Sequence, residues 1–334
     1  MLLFATLYKE KIMIQPISLT NKFNSLQFKG REDIRIIPAS KPTDLEKSIE
    51  NKLGINPTET VTKKFANGET YVNIKDDMRN KDVYIMPNSG NEVNDNLMEV
   101  YLKADAAKGM GANKIVAVLP NFPYARQERK SEPGEPISAA LNLSLLHTSG
   151  VDEVITADIH APAIEGFGKD IKLTNLDSLD EMTKYFKDKF DGNTSDLVVV
   201  SPDLGGKKRA DKLAKALNCN KAIIYKERAE HNKAKAEMLL GDDVNGKTCI
   251  IYDDMIDTAG TMKEAVEMLR NEGAKEVYIA ACHGLFNGKA LENLSNPAIK
   301  EIVVTNSQTK PEVDKIIQVD IASKIAGKML DISA

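Results

Sequence analysis

The sequence predicts an α/β fold made of two tandem, doubly wound domains whose sheets are mostly parallel. Short apolar runs, typical of buried strands, alternate along the chain with helical patterns whose apolar residues recur every three or four positions. Such alternation is expected when helices cover both faces of a parallel sheet. The pattern starts near residue 34, and a similar order recurs after residue 176. A length of 334 residues favours two domains, at roughly 100–200 residues each.

The composition is that of an ordinary globular protein, and it argues against several kinds of partner. Hydrophobic residues make up 42% of the chain and charged residues 28%, which are usual proportions. The net charge of −4 provides no basic field for nucleic acid or for a membrane surface. No apolar run approaches the ~18 residues that span a bilayer. We therefore expect neither a nucleic-acid partner nor a membrane partner.

The three cysteines, Cys219, Cys249 and Cys282, indicate a reducing compartment. They are few, odd in number and surrounded by apolar residues, so they are interpreted as buried thiols rather than a disulfide framework or a zinc site. The apolar beginning of the chain is short and soon interrupted by charged residues, unlike a signal peptide. Together these features predict a cytoplasmic protein.

The first half of the chain predicts an extension followed by an N-terminal domain. Residues 1–31 have no clear period, and we expect them to be an extension without clear structure. The N-terminal domain is predicted over 32–175. Its strands are expected at 34–37, 82–86, 115–119 and 153–157, with helices at 44–53, from about Asn94 or Asp95, and at 137–147. The polar segment 60–74 predicts an antiparallel pair.

The segment 176–334 predicts a C-terminal domain of the same design. Apolar strands are expected at 197–200, 222–225, 249–252, 276–282 and 302–305, and an amphipathic helix at 321–330. The charged stretch 226–246 has little apolar pattern. Loops of this length in a compact domain are often functional, so we expect this stretch to close over a site as a lid.

The stretch 249–261 carries the strongest functional signal of the sequence. It contains a buried strand, the acidic residues Asp253 and Asp254, and a loop of small and hydroxyl residues that opens a helix. Free backbone N–H groups at a helix N-terminus favour an anion such as phosphate. Carboxylates suit the hydroxyls of a sugar, or a metal ion. The stretch therefore predicts a sugar phosphate site, although an ordinary β–α turn with a capping residue is the alternative.

Two further clusters at predicted strand ends can hold a metal ion. Asp203 precedes the pair Gly205-Gly206, which lets backbone approach a phosphate closely, and Asp203 itself suits a divalent cation. His160 follows Asp158 at the end of another strand, where it can be a metal ligand or a base. A glycine turn with a capping Asp, and a structural histidine, are the alternatives for the two clusters.

Two basic segments can bind polyphosphate. Arg126, Gln127 and Arg129 follow aromatic residues in one loop, so they can grip phosphates and an adenine edge. A solvated basic loop is the alternative. Lys226 and Arg228 open the predicted lid, where cations can stabilise charge over a phosphate site.

Taken together, these clusters resemble one family, ribose-phosphate pyrophosphokinase, also called phosphoribosyl pyrophosphate (PRPP) synthetase. The resemblance runs from about residue 34 to residue 328. It is carried by Phe65-Ala66-Asn67-Gly68-Glu69, Asn94-Asp95-Asn96-Leu97-Met98-Glu99, Pro123-Tyr124-Ala125-Arg126-Gln127, Asp158-Ile159-His160-Ala161-Pro162, Ser201-Pro202-Asp203-Leu204-Gly205-Gly206, Lys226-Glu227-Arg228 and the stretch 253–261. The resemblance implies that both domains have the type I phosphoribosyltransferase fold.

The resemblance also implies roles for the matched residues. The ATP-binding residues would be Phe65, Asn67, Gly68 and Glu69, contributed by a neighbouring subunit, together with Arg126, Gln127 and Arg129 of the same subunit. Ribose 5-phosphate would be bound by Asp253, Asp254, Asp257, Thr258, Ala259, Gly260 and Thr261. His160 and Asp203 would hold Mg²⁺, and Lys226 and Arg228 would be the catalytic cations that close over the transferring group.

The reaction implied by the resemblance is transfer of the β,γ-pyrophosphoryl group of ATP to the C1 hydroxyl of ribose 5-phosphate, in a homo-oligomer that is a hexamer in the family. Two alternatives stay open. The first is a non-catalytic PRPP synthetase-associated regulatory subunit, against which stand the matched Lys226, Arg228, His160 and Asp203. The second is a phosphoribosyltransferase that consumes PRPP, in which the ATP-side residues would have no purpose.

Overall fold

The first of two parallel sheets is formed by strands whose spatial order follows the chain. The computed structural model describes residues 31–227 and 236–334. Strands of the first sheet lie in the order β1-β4-β5-β6-β7, and every pairing is parallel. These strands are β1 (Ile34–Ile37), β4 (Asp82–Ile85), β5 (Lys114–Val118), β6 (Glu153–Ala157) and β7 (Lys172–Leu176). The intervening β2 (Thr60–Lys64) and β3 (Thr70–Ile74) form a separate antiparallel hairpin.

Helices cover both faces of the first sheet. Apolar side chains of α2 (Val93–Gly109) and α3 (Ser138–Thr148) form one buried cluster with the strands. Those of α1 (Asp44–Leu53) pack on the other face. The sequence determines the ends of α1: the Thr43 side chain accepts a hydrogen bond from the backbone N–H of Glu46 at 3.1 Å, and Gly54 ends the helix at a φ of 64°.

The second sheet has seven strands, and its order reverses once. The order is β10-β9-β8-β11-β12-β13-β14, and β10 is the one antiparallel strand. These strands are β8 (Leu197–Ser201), β9 (Asn220–Glu227), β10 (Ala236–Gly241), β11 (Thr248–Ile256), β12 (Glu276–Gly284), β13 (Ile299–Thr305) and β14 (Ile316–Val319). The helices are α4 (Leu179–Lys189), α5 (Lys207–Leu217), α6 (Gly260–Asn271), the short α7 (Ala290–Asn293) and α8 (Ala322–Ile332).

The last helix joins the two halves of the molecule. Although α8 follows the second sheet in the chain, its apolar face packs with α1 against the first sheet. The buried Tyr84 hydroxyl of β4 donates to the Met329 carbonyl at 2.6 Å. The predicted boundary between the domains 32–175 and 176–334 falls inside β7. Because α8 lies in the predicted C-terminal domain, its packing against the first sheet is a contact between the two predicted domains.

Most predicted elements are confirmed, but one segment was interpreted wrongly. The strands, helices and antiparallel pair predicted from periodicity occur within a few residues of their expected bounds. The stretch 226–246, predicted to be a loop, contains β10, an edge strand with the exposed apolar residues Met238 and Leu240. The apolar pattern of this strand is too short to indicate a strand within such a charged stretch of sequence. The extension predicted over 1–31 lies outside the described residues except for Arg31, which begins a short 3-10 helix.

Across residues 31–227 and 236–334, the structure contains no helix that is long and apolar enough to cross a membrane.

A buried ionic network supports the carboxyl end of β1. The ammonium group of Lys103, which is fully buried on α2, is 2.5 Å from a carboxylate oxygen of Glu99 and 2.5 Å from the Pro38 carbonyl. The Glu46 carboxylate lies beside it and accepts from the Ala39 backbone N–H at 3.2 Å. Burial, with the charge of Glu50, raises the pKa of Glu46 from 4.5 to about 7. Desolvation therefore exceeds the favourable effect of the nearby Lys103.

Replacing Glu46 by Gln should stabilise the protein at pH 8 more than at pH 5. Between 4.5 and about 7 the folded state binds the Glu46 proton more tightly than the unfolded state, so stability falls as pH rises through this window. Glu46→Gln keeps a hydrogen-bond acceptor and removes that loss. Thermal unfolding should give a melting-temperature gain roughly 2–4 °C larger at pH 8 than at pH 5.

The exposed Glu59 provides the control for this prediction. Glu59→Gln removes the same charge and should give the same small change at both pH values. An equal effect of Glu46→Gln at pH 5 and pH 8 would contradict the assigned destabilisation.

Candidate functional site at the reversal of strand order

The reversal of strand order in the second sheet defines a crevice between β8 and β11. After β8 the chain moves to β9 on one side, and after β10 it returns to β11 on the other side of β8. The helix that follows β8, α5, packs on one face of the sheet, and α6, which follows β11, packs on the other. In open α/β sheets, ligands bind at such a point, beyond the carboxyl ends of the strands.

The loop after β11 presents a helix N-terminus to this crevice. Ala259 has a φ of 59°, a conformation that non-glycine residues rarely adopt, and α6 starts at Gly260 without a side-chain cap. Strain of this kind is concentrated at functional sites. A Cβ built on Gly260 would meet no heavy atom within 4 Å. Ala259, Gly260 and Thr261 line a cavity, so the start of α6 is accessible to an anion.

Two asparagines from a later segment support this loop. The Asn287 side-chain amide donates to a carboxylate oxygen of Asp257 at 2.9 Å, and the Asn293 amide donates to the Thr258 carbonyl at 2.9 Å. The remaining Asn287 oxygen is buried and has no hydrogen-bond partner among the described residues. These contacts fix the first part of the loop before α6 begins.

The loop after β8 is folded around Asp203. One carboxylate oxygen of Asp203 accepts from the Gly206 N–H at 2.9 Å. The other has no hydrogen bond within the part of the chain that the structure describes. Gly206 is required by close approach, because an added Cβ would lie 2.9 Å from the Ser201 hydroxyl and 3.6 Å from Asp253.

The carboxylates of Asp253 and Asp254 share one buried cation. The guanidinium of Arg209, in the first turn of α5, lies 3.2 Å from Asp253 and 3.4 Å from Asp254. Burial, with the charge of Asp254, raises the pKa of Asp253 to about 8. Burial alone would raise the pKa of Asp254 too, but the hydrogen bond from His160 and the charge of Arg209 lower it below its usual range. The two neighbours thus have different proton affinities.

Two loops of the first domain reach the same place. His160, after β6, contacts Asp254 through Nδ1 at 2.8 Å, and this hydrogen bond raises the pKa of His160. Arg126, after β5, donates to the second carboxylate oxygen of Asp257 at 2.7 Å. Both contacts bring a nitrogen of the first domain to a carboxylate of the second, so the predicted clusters of the two domains are joined directly.

One cavity of about 450 Å³ contains most of the predicted site residues. Its lining includes His160, Asp203, Arg126, Arg129, Asp253, Asp254, Asp257, Thr258, Ala259, Gly260 and Thr261, with Arg209 and Glu128. A second cavity of about 400 Å³ lies beside it and shares Arg126 and Met255. Gln127 lines only the second cavity, where its side-chain oxygen accepts from the Ser138 hydroxyl at 2.6 Å.

The first cavity has more acidic than basic side chains. Its lining contains five carboxylates and three guanidinium groups. A polyphosphate entering this space would bring its own negative charge close to these carboxylates, and a divalent cation would offset the repulsion. Residues 31–227 and 236–334 contain no group of three His, Cys, Asp or Glu side chains that could hold a metal ion by itself. A divalent cation held here by fewer side chains would complete its ligand shell with substrate oxygens and water.

The hairpin residues of the predicted ATP site are separate from the cavity. Phe65, Asn67, Gly68 and Glu69 lie at the turn between β2 and β3, and the described lining of both cavities excludes them. Phe65 is half exposed and packs edge-on against Tyr71, with ring centroids 5.8 Å apart.

The two predicted catalytic cations lie at the edge of what the structure describes. Lys226 is the second-last residue of β9, and Arg228 lies outside the described residues.

Sequence reasoning missed Arg209, Asn287 and Glu128 as site residues. Arg209 follows Lys207-Lys208, so its local pattern is that of a solvated basic helix. Its one distinguishing signal is position, because a cation in the first turn of a helix is unfavourable for the helix dipole. Asn287 is 30 residues beyond Asp257, and no local pattern connects the two.

Comparisons with known protein families find a match for each of the two domains. The family model for the N-terminal domain of ribose phosphate pyrophosphokinase matches residues 34–150, and the model for the phosphoribosyl transferase domain matches residues 172–314. A solved structure, phosphoribosylpyrophosphate synthetase from Mycobacterium smegmatis, superposes with a TM-score of 0.83 and 33% identity. The match covers 90% of this chain and 98% of that one.

Sequence relatives extend over nearly the same length. The chain is 41% identical over 292 residues to a ribose-phosphate pyrophosphokinase of Fusobacterium nucleatum, covering 87% of this chain and 91% of that one. It is 40% identical over 287 residues to one of Bacillus subtilis, covering 86% and 89%. The chain therefore belongs to the ribose-phosphate pyrophosphokinase family.

Proposed function

We propose that the chain is a ribose-phosphate diphosphokinase of nucleotide biosynthesis. It transfers the β,γ-pyrophosphoryl group of ATP to the C1 hydroxyl of ribose 5-phosphate, giving 5-phosphoribosyl 1-pyrophosphate and AMP. The observation that carries this proposal is the cavity of about 450 Å³ in which arginines and a histidine of the first domain meet the acidic strand end and small-residue loop of the second. A transfer between two substrates needs both held in one space.

Ribose 5-phosphate occupies the second-domain half of the cavity. Its phosphate accepts hydrogen bonds from the backbone N–H groups at the start of α6, where Gly260 leaves room for it. Its ring hydroxyls donate to the carboxylates of Asp253 and Asp254. The carboxylates and the N–H groups belong to one continuous segment, from the end of β11 to the start of α6.

ATP occupies the first-domain half. Arg126 and Arg129 neutralise phosphate oxygens, and Arg126 exchanges its 2.7 Å contact with Asp257 for one with the nucleotide. Gln127 holds the nucleotide near the second cavity. Phe65, Asn67, Gly68 and Glu69 do not line either cavity, and we propose that a neighbouring subunit supplies them. The active form is then a homo-oligomer, a hexamer by family resemblance.

Transfer follows from alignment rather than from a covalent intermediate. The C1 hydroxyl of the ribose attacks the β-phosphorus of ATP in line with the departing AMP oxygen. In the transition state negative charge is spread over the oxygens of the transferring group and the departing oxygen. Lys226, near the end of β9, and Arg228, two residues further along the chain, close over this group and stabilise that charge.

His160 and Asp203 would hold a divalent cation, which is Mg²⁺ by family resemblance. When bound, it would offset the charge of the phosphates beside the five carboxylates of the cavity lining. The chain's own contribution is to keep one Asp203 oxygen free and to orient His160 through Asp254.

We also propose that the chain is cytoplasmic and divides into two domains. Its three cysteines are free thiols, two of them buried, as suits the cytoplasm. The domains divide near residue 175, with α8 returning to the first sheet.

One assay tests the proposed function against its alternatives. The protein is incubated with ATP, Mg²⁺ and ribose 5-phosphate, and the products are identified by phosphorus NMR. Equal amounts of AMP and PRPP, with no AMP when ribose 5-phosphate is omitted, are expected. The associated regulatory subunit would give no product. A phosphoribosyltransferase would instead consume added PRPP when a nucleobase is supplied, and ADP formation would indicate transfer of a single phosphoryl group.

Gly260→Ala should weaken ribose 5-phosphate binding without damaging the fold. The added methyl group meets no protein atom within 4 Å and suits a helical residue, so thermal stability should be equal or higher. It does, however, enter the space assigned to the phosphate. The KM for ribose 5-phosphate should rise about tenfold or more, because hydrogen bonds to a charged group are lost, while the KM for ATP changes little.

Gly327→Ala is the matched control for this prediction. Gly327 lies in α8, is exposed and likewise has no neighbour within 4 Å of an added Cβ, but it is remote from the cavity. Its substitution should leave both KM values unchanged. A rise in the KM for ATP alone after Gly260→Ala would mean that the two substrates are assigned to the wrong halves.

Asp203→Asn should increase the Mg²⁺ concentration needed for half-maximal activity by about tenfold, because a neutral amide binds hard cations more weakly than a carboxylate. Titration of activity with Mg²⁺ measures the shift. Asp211→Asn serves as the control, since Asp211 lies on α5, the helix that follows the Asp203 loop, and pairs with Lys207 and Lys221 away from the cavity. An unchanged Mg²⁺ requirement would remove Asp203 from the metal site.

A further inference from the structure

We propose that Arg209 is a positioning residue that holds the carboxylates of Asp253 and Asp254 in the arrangement that recognises ribose hydroxyls. This inference rests on the proposed function and assigns a determinant of sugar affinity to a residue that does not itself need to touch the sugar. Arg209 Nη1 is 3.2 Å from one oxygen of Asp253 and 3.4 Å from one of Asp254. Its side chain is only 20% exposed.

The place of Arg209 on α5 is not explained by helix stability. It lies in the first turn of the helix, where the dipole disfavours a cation. Its neighbour Lys207 pairs with Asp211 near the surface, and Lys208 is exposed. Arg209 instead turns inward and lies against β11. Its contacts with two carboxylates offset the unfavourable interaction of Arg209 with the helix dipole. Pairing with these carboxylates is therefore the role that we assign to Arg209.

The carboxylate pair needs such a cation. Adjacent residues of a strand normally point to opposite faces, yet one guanidinium reaches both Asp253 and Asp254. The Asp254 N–H also donates to the same Asp253 oxygen at 2.8 Å, which folds this side chain back over the strand. Two carboxylates this close repel each other, and burial strengthens the repulsion. Without Arg209 the two side chains would separate, and Asp253 would lose the orientation that its contact with the guanidinium imposes.

The geometry leaves specific atoms available for the sugar. Arg209 engages Oδ1 of each aspartate, while Oδ2 of Asp254 accepts from His160. Oδ2 of Asp253 has no hydrogen bond to any residue that the structure describes, although the residue lines the cavity. Nη1 of Arg209 contacts both Oδ1 atoms, so it orients Asp253 with its second oxygen towards the ligand. A lysine supplies the charge on a compact ammonium group of different reach and shape, so it should restore binding only in part.

Binding measured separately for each substrate tests this role. Calorimetry is performed with ribose 5-phosphate alone and with a non-hydrolysable ATP analogue and Mg²⁺, on the wild-type protein, Arg209→Met, Arg209→Lys and the control Lys208→Met. For Arg209→Met, the Kd for ribose 5-phosphate should rise about tenfold to a hundredfold, and that for the analogue less than threefold. Arg209→Lys should give an intermediate loss for the sugar, and Lys208→Met should equal the wild type.

Three results would overturn the inference. The first is a Kd for ribose 5-phosphate within threefold of wild type in both Arg209 variants. The second is an equal loss for the ATP analogue, which would indicate either a direct nucleotide contact or a general structural role. The third is failure of the wild-type protein to bind ribose 5-phosphate, which would overturn the proposed function and this inference with it. Should Arg209→Met not fold, Arg209→Lys against Lys208→Met decides between the first two results.

Discussion

The contact between His160 and Asp254 is the constraint on which the site depends. It joins the loop after β6 in the first sheet to the strand end of β11 in the second, at 2.8 Å. A short distance away, Arg126 and Asp257 form the second contact of this kind, at 2.7 Å. These pairs require the carboxyl edges of two independent parallel sheets to face each other. The cavity, its mixed charge and its access to both domains follow from that arrangement.

The two sheets contribute differently because their strand orders differ. The second sheet reverses between β8 and β11, which opens a crevice lined by Asp203 and by the loop before α6. The first sheet follows the chain without reversal, so it contributes side chains from loops rather than a crevice of its own. Packing of α8 on the first sheet, with the Tyr84 hydroxyl bonded to the Met329 carbonyl, fixes the relative placement on which the shared cavity relies.

The sequence predicts the parts of this site whose chemistry is local. The acidic strand end and small-residue loop of 253–261 are recognisable because strand, turn and helix start are contiguous. Arg209 is not, since its meaning depends on a carboxylate pair 44 and 45 residues away. The same limit applies to Asn287, and to α8, whose amphipathic pattern predicts a helix but not the sheet that it covers. Strand β10 was not predicted, because it is short, lies among charged residues, and as an edge strand needs no continuous apolar run.

We propose that one cavity holds both substrates, with the sugar phosphate over α6 and the nucleotide against the first-domain arginines. A crystal structure with ribose 5-phosphate, Mg²⁺ and a non-hydrolysable ATP analogue tests this arrangement through the distance from the ribose C1 oxygen to the β-phosphorus. We expect a separation of about 3–3.5 Å, with the 5-phosphate at the N–H of Gly260. Ligands in separate cavities, or a sugar phosphate bound away from α6, would contradict it.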